Sequence, residues 1–252
     1  MESQIPGLDP ALTFENWNES SSNRSATLAG MDVASTTYRG KHQSLFIYAD
    51  EGLGKTHLLH AIGKRFVRDQ PDKNVFYDHA KTLILEVVEA YQGKSFMAFK
   101  IKYLSADLLL MDDVQILAGM DRSQEEFIHI FDILCAKQSA VVLASNTFHK
   151  WMWNIPAQLA GRLSEGLTVT MEPPVIELRM AILMNKARSL GTEVPTDALF
   201  LIAKNVEFNK IELEILMEDI FLNANLKKCA ISGQFIRDSW HHLATKRFLD
   251  AN

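Results

Sequence analysis

The chain has 252 residues, 47% of them apolar, with a net charge of −5 and a pI of about 5.9. That length holds one large domain or a medium domain with a small companion, and the apolar share suffices for a packed core. The acidic balance argues against a protein whose main task is gripping duplex DNA. The apolar stretches fall short of a membrane span, and the first residues, with Glu2, Pro6, Asp9 and Pro10, lack a secretion signal, so a cytoplasmic chain with no membrane partner is expected.

In chain order, residues 1–44 are polar and irregular, with Ser20-Ser21-Ser22-Asn23 as a loop or cap signal before a short helix over 25–37. Strand-like runs follow at 45–49, 74–78, 107–112, 140–145 and 167–171, separated by helical periodicity near 55–69, 80–91, 95–103 and 123–137. This alternation predicts an α/β subdomain over 45–173 built on a mostly parallel sheet covered on both faces. After Pro173-Pro174 the strand signal stops, and helices near 175–190, 196–205, 209–225 and 232–246 predict a small helical subdomain over 174–252. Cys135 and Cys229 lie too far apart to form a metal knuckle and are expected to be reduced, buried thiols. The histidines at 57, 60, 79, 129, 149, 241 and 242 have no ligand spacing.

Between the first apolar run and the helix after it stands Glu51-Gly52-Leu53-Gly54-Lys55-Thr56-His57. Gly52 and Gly54 let the backbone turn so that N–H groups of the segment Gly52 to His57, Leu53 included, face phosphate oxygens at a helix N-terminus. Lys55 would reach the β- and γ-phosphates, and the Thr56 hydroxyl would bind Mg²⁺. The first glycine of the full GxxxxGK[ST] pattern is Ala49 here, which costs little at negative φ and more if the loop needs a left-handed residue.

Leu108-Leu109-Leu110-Met111-Asp112-Asp113 is an apolar strand ending in two acids. Asp112 would serve the metal and Asp113 an attacking water. Val141 to Asn146 is a further strand with a polar end. Asn146 would bond the γ-phosphate or orient the water, the alternative being a turn residue.

Together these pieces resemble the AAA+ ATPases, and the surrounding text is similar to the bacterial replication initiator (DnaA) family. The stretches that carry the resemblance are Leu12 to Trp17, Gly52 to Gly63, Leu108 to Gly119, Arg122 to Leu134, Gly166 to Pro174, Arg179 to Ala187 and Glu212 to Glu214. It implies an AAA+ P-loop NTPase fold, with a five-stranded parallel sheet and a C-terminal helical lid, that binds ATP or ADP with Mg²⁺. The implied function is to regulate or take part in initiation of chromosomal replication through nucleotide-dependent contact with DnaA. Because the resemblance covers the ATPase module alone, without a domain that reads duplex DNA, a regulator of the Hda-like type is the expectation. Such a regulator binds the sliding clamp through an N-terminal peptide, to which Gln4-Ile5-Pro6-Gly7-Leu8 is a poor match.

Residue by residue, the resemblance makes Arg162 the arginine that inserts into a neighbouring subunit's nucleotide site, the alternative being a surface arginine with a packed stem. It aligns Ile211 with the lid's phosphate-sensing arginine and Gln158 with an interface arginine, so turnover is expected to be weak or stimulated by a partner. A nucleotide-holding adaptor and a helicase-loader-like protein are the competing functions. For single-stranded DNA the matching positions are Val88 and Arg122. Lys94, Lys100 and Lys102, interleaved with Phe96, Phe99 and Tyr103, would form either a strand-tracking surface or an amphipathic helix with solvated lysines and core aromatics. Trp151 and Trp153 are expected to fill the core, the alternative being a partner patch.

Overall fold

The computed structural model describes residues 7–35, 44–93, 95–206 and 209–239. Five strands, β1 (Leu45–Tyr48), β2 (Val75–His79), β3 (Leu108–Asp112), β4 (Ala140–Ser145) and β5 (Leu167–Thr170), form one sheet in the order β2-β3-β4-β1-β5, and every pairing is parallel. The expected five-stranded parallel sheet is therefore present. Its central strands are apolar up to their last residues, Asp112 and Ser145, because both faces are covered. Alternate residues feed two cores: Phe46, Leu109, Met111, Val141 and Leu143 point to one side, and Leu45, Ile47, Leu108, Leu110 and Val142 to the other.

Helices α1 (Arg24–Ala34) and α2 (Lys55–Asp69) cover the second face, while α3 (Ala80–Tyr91), α4 (Phe96–Leu104), α5 (Asp121–Ala136) and α6 (Ala157–Glu165) cover the first. Short 3₁₀ turns at Val114–Leu117 and His149–Trp151 follow β3 and β4. Helix α6 was not expected from the sequence, which gives no helical signal between β4 and β5. It forms because Leu159 and Leu163, four residues apart, bury on one side.

The chain divides into two compact units, one of residues 1–17 and 23–172, the other of 18–22 and 173–252. The second holds α7 (Ile176–Ser189), α8 (Thr196–Asn205), α9 (Lys210–Lys227) and helical residues 233–239 around a core that includes Leu183, Ile202, Leu213, Met217 and Ile236. Asn209 caps α9 by accepting the Glu212 N–H at 3.0 Å, and Glu212 Oε2 accepts the Asn209 N–H at 2.9 Å. Arg179 is buried, and its Nη1 donates to the Val206 carbonyl at the C-terminal end of α8, where a cation suits the helix dipole. Among the described residues no helix is long and apolar enough to cross a membrane.

Candidate nucleotide site

The loop between β1 and α2 turns through Gly52 at φ 75° and Gly54 at φ 94°, a conformation that side chains resist. A Cβ on Gly54 would also lie 3.0 Å from the Trp17 ring. Ala49 is not among the left-handed residues. It is 1% exposed, and its N–H donates to the Ser145 carbonyl at 3.1 Å, so the missing first glycine costs the loop nothing. No side chain caps α2 at Gly54, which leaves the orphan N–H groups of its first turn to an anion.

Lys55 is buried, with Nζ donating to the carbonyls of Ala49 at 2.7 Å and Asp50 at 2.9 Å. Burial pushes its ammonium pKa down, against the opposing pull of Asp113, Asp112, Glu51 and Asp50. A cation held over the loop in this way is poised to exchange carbonyls for phosphate oxygens. The side chains of Leu53 and His57 do not share that role. Leu53 packs on the core, and His57 Nε2 donates to the Thr13 carbonyl at 2.9 Å with its ring edge-on to Trp17, so only their backbone N–H groups can serve phosphate.

The Thr56 hydroxyl donates to Asp112 Oδ2 at 2.6 Å. These two hard oxygen donors, one from the helix and one from the end of β3, fit a small divalent cation such as Mg²⁺. Tyr77 reaches the same carboxylate oxygen at 3.4 Å, and burial raises the phenol's pKa, so it stays a donor. Asp113 takes left-handed geometry at φ 52°, which an aspartate tolerates better than a branched residue. Its Oδ2 accepts from His79 Nε2 and its Oδ1 from Gln115 Nε2, both at 2.9 Å. Gln115 also accepts the Asn146 N–H at 3.3 Å, and Asn146 Nδ2 donates to Glu51 at 3.1 Å. Thus Thr56, Asp112, Asp113 and Asn146 are linked by hydrogen bonds at the ends of adjacent strands, beside Lys55, as the topology of a parallel sheet dictates. His79, Gln115, Tyr77 and Glu51 went unrecognised in the sequence. His79, which ends β2 in register with Asp112, and Gln115, two residues beyond Asp113, were the legible signals.

Arg162 stands on α6 and is engaged elsewhere, by Asp132 and Glu165. Gln158 is exposed on the same helix, and Ile211 is 57% exposed in the first turn of α9. Val88 is exposed on α3, and the Arg122 guanidinium lies 5.0 Å above the Tyr91 ring. In the lysine-rich helix Phe99 and Tyr103 are core, while Lys100 pairs with Glu126 and Lys102 with Asp78 and Glu86; Lys94 lies outside the described residues. So do Gln4, Ile5 and Pro6 of the clamp-peptide candidate, His241 and His242, whereas Leu8 packs on the core.

Two expectations are corrected. Trp151 and Trp153 do not fill the core: they are 65% and 84% exposed, because the 3₁₀ turn and the left-handed Asn154 aim them outward, while Met152 between them packs inward. Nor are both thiols buried, since Cys229 is exposed just beyond α9 and Cys135 is half-buried.

Residues 8–170 match the family described as the bacterial DnaA ATPase domain. The chromosomal replication initiator protein DnaA of Leptothrix cholodnii is 42% identical over 92% of this chain and 45% of its own length. The chain thus spans about half the length of the curated relatives it matches. Domain III of the Thermotoga maritima DnaA superposes with a TM-score of 0.81 at 30% identity, covering 91% of this chain and 95% of that one. A replication initiator DnaA bound to AMPPCP and single-stranded DNA superposes with a TM-score of 0.78 at 29% identity, covering 88% of this chain and 69% of that one.

Proposed function

Because the chain belongs to the bacterial DnaA ATPase-domain family, we propose that it binds ATP or ADP with Mg²⁺ and acts in initiation of chromosomal replication through nucleotide-dependent contact with another AAA+ subunit, DnaA among them. The observation that carries this reading is the Thr56–Asp112 bond beside Lys55, which joins helix, strand end and cation at one glycine-turned loop.

In this reading the N–H groups of Gly52 to His57 cradle the phosphates, and Lys55 swaps its two carbonyls for the β- and γ-oxygens. Thr56 and Asp112 hold Mg²⁺, which when bound neutralises phosphate charge. Asp113, fixed by His79 and Gln115, accepts a proton from water, and Asn146 orients that water or the γ-phosphate. Arg162 serves the nucleotide of a neighbouring subunit. Single-stranded DNA, which a relative of similar fold holds, would meet this chain at Val88 and Arg122. The test is titration of a fluorescent ATP analogue with and without Mg²⁺. Micromolar or tighter binding that weakens in Lys55→Met, and loses its Mg²⁺ dependence in Asp112→Asn, supports the reading. Binding indifferent to both variants defeats it.

A second reading is a nucleotide-holding adaptor with little turnover of its own. Ile211 favours it: the side chain at the lid-sensor position is exposed and carries no charge, and neighbouring Glu212 is committed to the α9 cap. Turnover of γ-labelled ATP by the chain alone, then with full-length DnaA, separates the two. The adaptor predicts none in either case.

A further inference from the structure

The guanidinium of Arg162 is held by two carboxylates of its own chain. Nε donates to Asp132 Oδ1 at 2.6 Å and Nη2 to Asp132 Oδ2 at 3.3 Å, a side-on fork across from α6 to α5, while Nη1 donates to Glu165 Oε1 at 3.0 Å. One cation and two anions make a cluster of net charge −1. The Cys135 thiol next to it is pushed up to about 11 by burial, stays neutral, and does not alter that sum. A guanidinium so paired presents no net positive charge, whereas a phosphate in a neighbouring subunit needs both the charge and a free fork of N–H donors.

We propose that Asp132 is a positioning residue that clamps Arg162 in cis, so that delivery of the arginine to a partner's nucleotide requires exchange of the Asp132 carboxylate for that partner's phosphate. The proposal rests on the reading of Arg162 as the arginine that acts across a subunit interface. Glu165, one turn along α6, is the secondary holder: it makes a single bond, and as a neighbour on the same helix it moves with the arginine. Asp132 lies on a different helix, and its bond has to break. The clamp is partly exposed on both sides, so it is weak enough to open: the side chains are 32% and 38% exposed. A bidentate pair at such a surface sets an equilibrium of about three- to tenfold in favour of the held state. It therefore scales the stimulation a partner receives and does not forbid it.

The test uses the full chain mixed at subsaturating ratio with full-length DnaA of Leptothrix cholodnii preloaded with γ-labelled ATP, and reads release of labelled phosphate. Five forms are compared: the unaltered chain, Arg162→Ala, Asp132→Asn, Asp132→Glu, and the double variant Asp132→Asn with Arg162→Ala. Asparagine keeps the size of the side chain and removes its charge, and a folding defect cannot produce a gain. The expected result is stimulation that rises about three- to tenfold in Asp132→Asn, returns toward the unaltered level in Asp132→Glu, and vanishes in both forms that lack Arg162. Stimulation that depends on Arg162 but stays level or falls in Asp132→Asn overturns the clamp alone. If no form stimulates in an Arg162-dependent way, the trans-acting reading fails and the clamp with it. The affinity of the Asp132→Asn and Asp132→Glu forms for a fluorescent ATP analogue, measured alongside, is expected to match that of the unaltered chain.

Discussion

His79 donates Nε2–H to Asp113 Oδ2 at 2.9 Å while its Nδ1 accepts the Lys81 N–H at 3.1 Å. The two bonds assign the neutral imidazole with its proton on Nε2, and they give one side chain two tasks: capping α3 and orienting the acid next to the metal ligand.

Those tasks can be separated. Asparagine is among the best helix caps but is too short to span to Asp113, so His79→Asn keeps the start of α3 and releases the acid. ATP affinity should stay within about twofold, while turnover, intrinsic or partner-stimulated, should fall about tenfold. His79→Ala should lose the cap as well and cost about 1 kcal/mol of stability. Equal turnover in His79→Asn and the unaltered chain would mean that Gln115 alone suffices to hold Asp113.

Strand positions were legible in the sequence for a definite reason. In β3 every residue from Leu108 to Asp112 is buried, so the run is apolar to its end and stops where chemistry begins. Likewise the GKT turn carries its own local signal, since glycine at φ 94° and a lysine one residue later need no distant partner to be recognised. What was not legible depends on residues remote in sequence. Arg162 finds Asp132 thirty residues away, Asn146 reaches Glu51 across ninety-five, and Trp153 turns outward through the loop geometry around Asn154. Helix α6 was hidden because only two of its residues bury, too few to show a helical period.

The alanine in place of the loop's first glycine is a packing asset. Ala49 is 1% exposed among Leu58, Leu59 and Ala144, and it is not left-handed. Ala49→Gly should therefore lower unfolding stability by about 1–2 kcal/mol through lost burial and added backbone freedom. ATP affinity should stay within about threefold, because no phosphate-facing N–H moves. Tighter binding in the glycine variant, read by fluorescence titration, would show that the alanine strains the loop after all.

Lys55→Met should separate binding from stability in the opposite sense. Methionine loses the bonds to Ala49 and Asp50, yet it also removes a buried ammonium whose pKa burial already lowers. The two effects oppose, so unfolding free energy without nucleotide should move by no more than about 1 kcal/mol. Loss of the charge-assisted phosphate bonds should weaken ATP binding by at least about thirtyfold. Thermal shift measurements show the contrast directly: the melting temperatures should nearly coincide without ATP and diverge with it.

Acid should destabilise the first unit before its carboxylates begin to titrate. His60 is buried, with Nδ1 accepting the Asp9 N–H at 3.2 Å and its ring 4.2 Å from that of Tyr77, while His149 is wedged between Phe46 and Phe148. Burial holds both imidazoles below the ordinary histidine value of 6.5. For a base with a lowered folded pKa, the unfolded chain binds the proton more readily. Stability is thus complete above the unfolded pKa of 6.5 and declines as pH falls below it. The urea midpoint should accordingly fall between pH 7.5 and 5.5, a range still above that of the carboxylates Glu15, Asp69 and Asp107, whose pKa values are lowered in the fold. His149→Phe, which fills the aromatic slot without a titrating nitrogen, should flatten part of that decline. An identical slope in the variant would assign the acid sensitivity to His60, whose Nδ1 cannot take a proton without breaking its bond to Asp9.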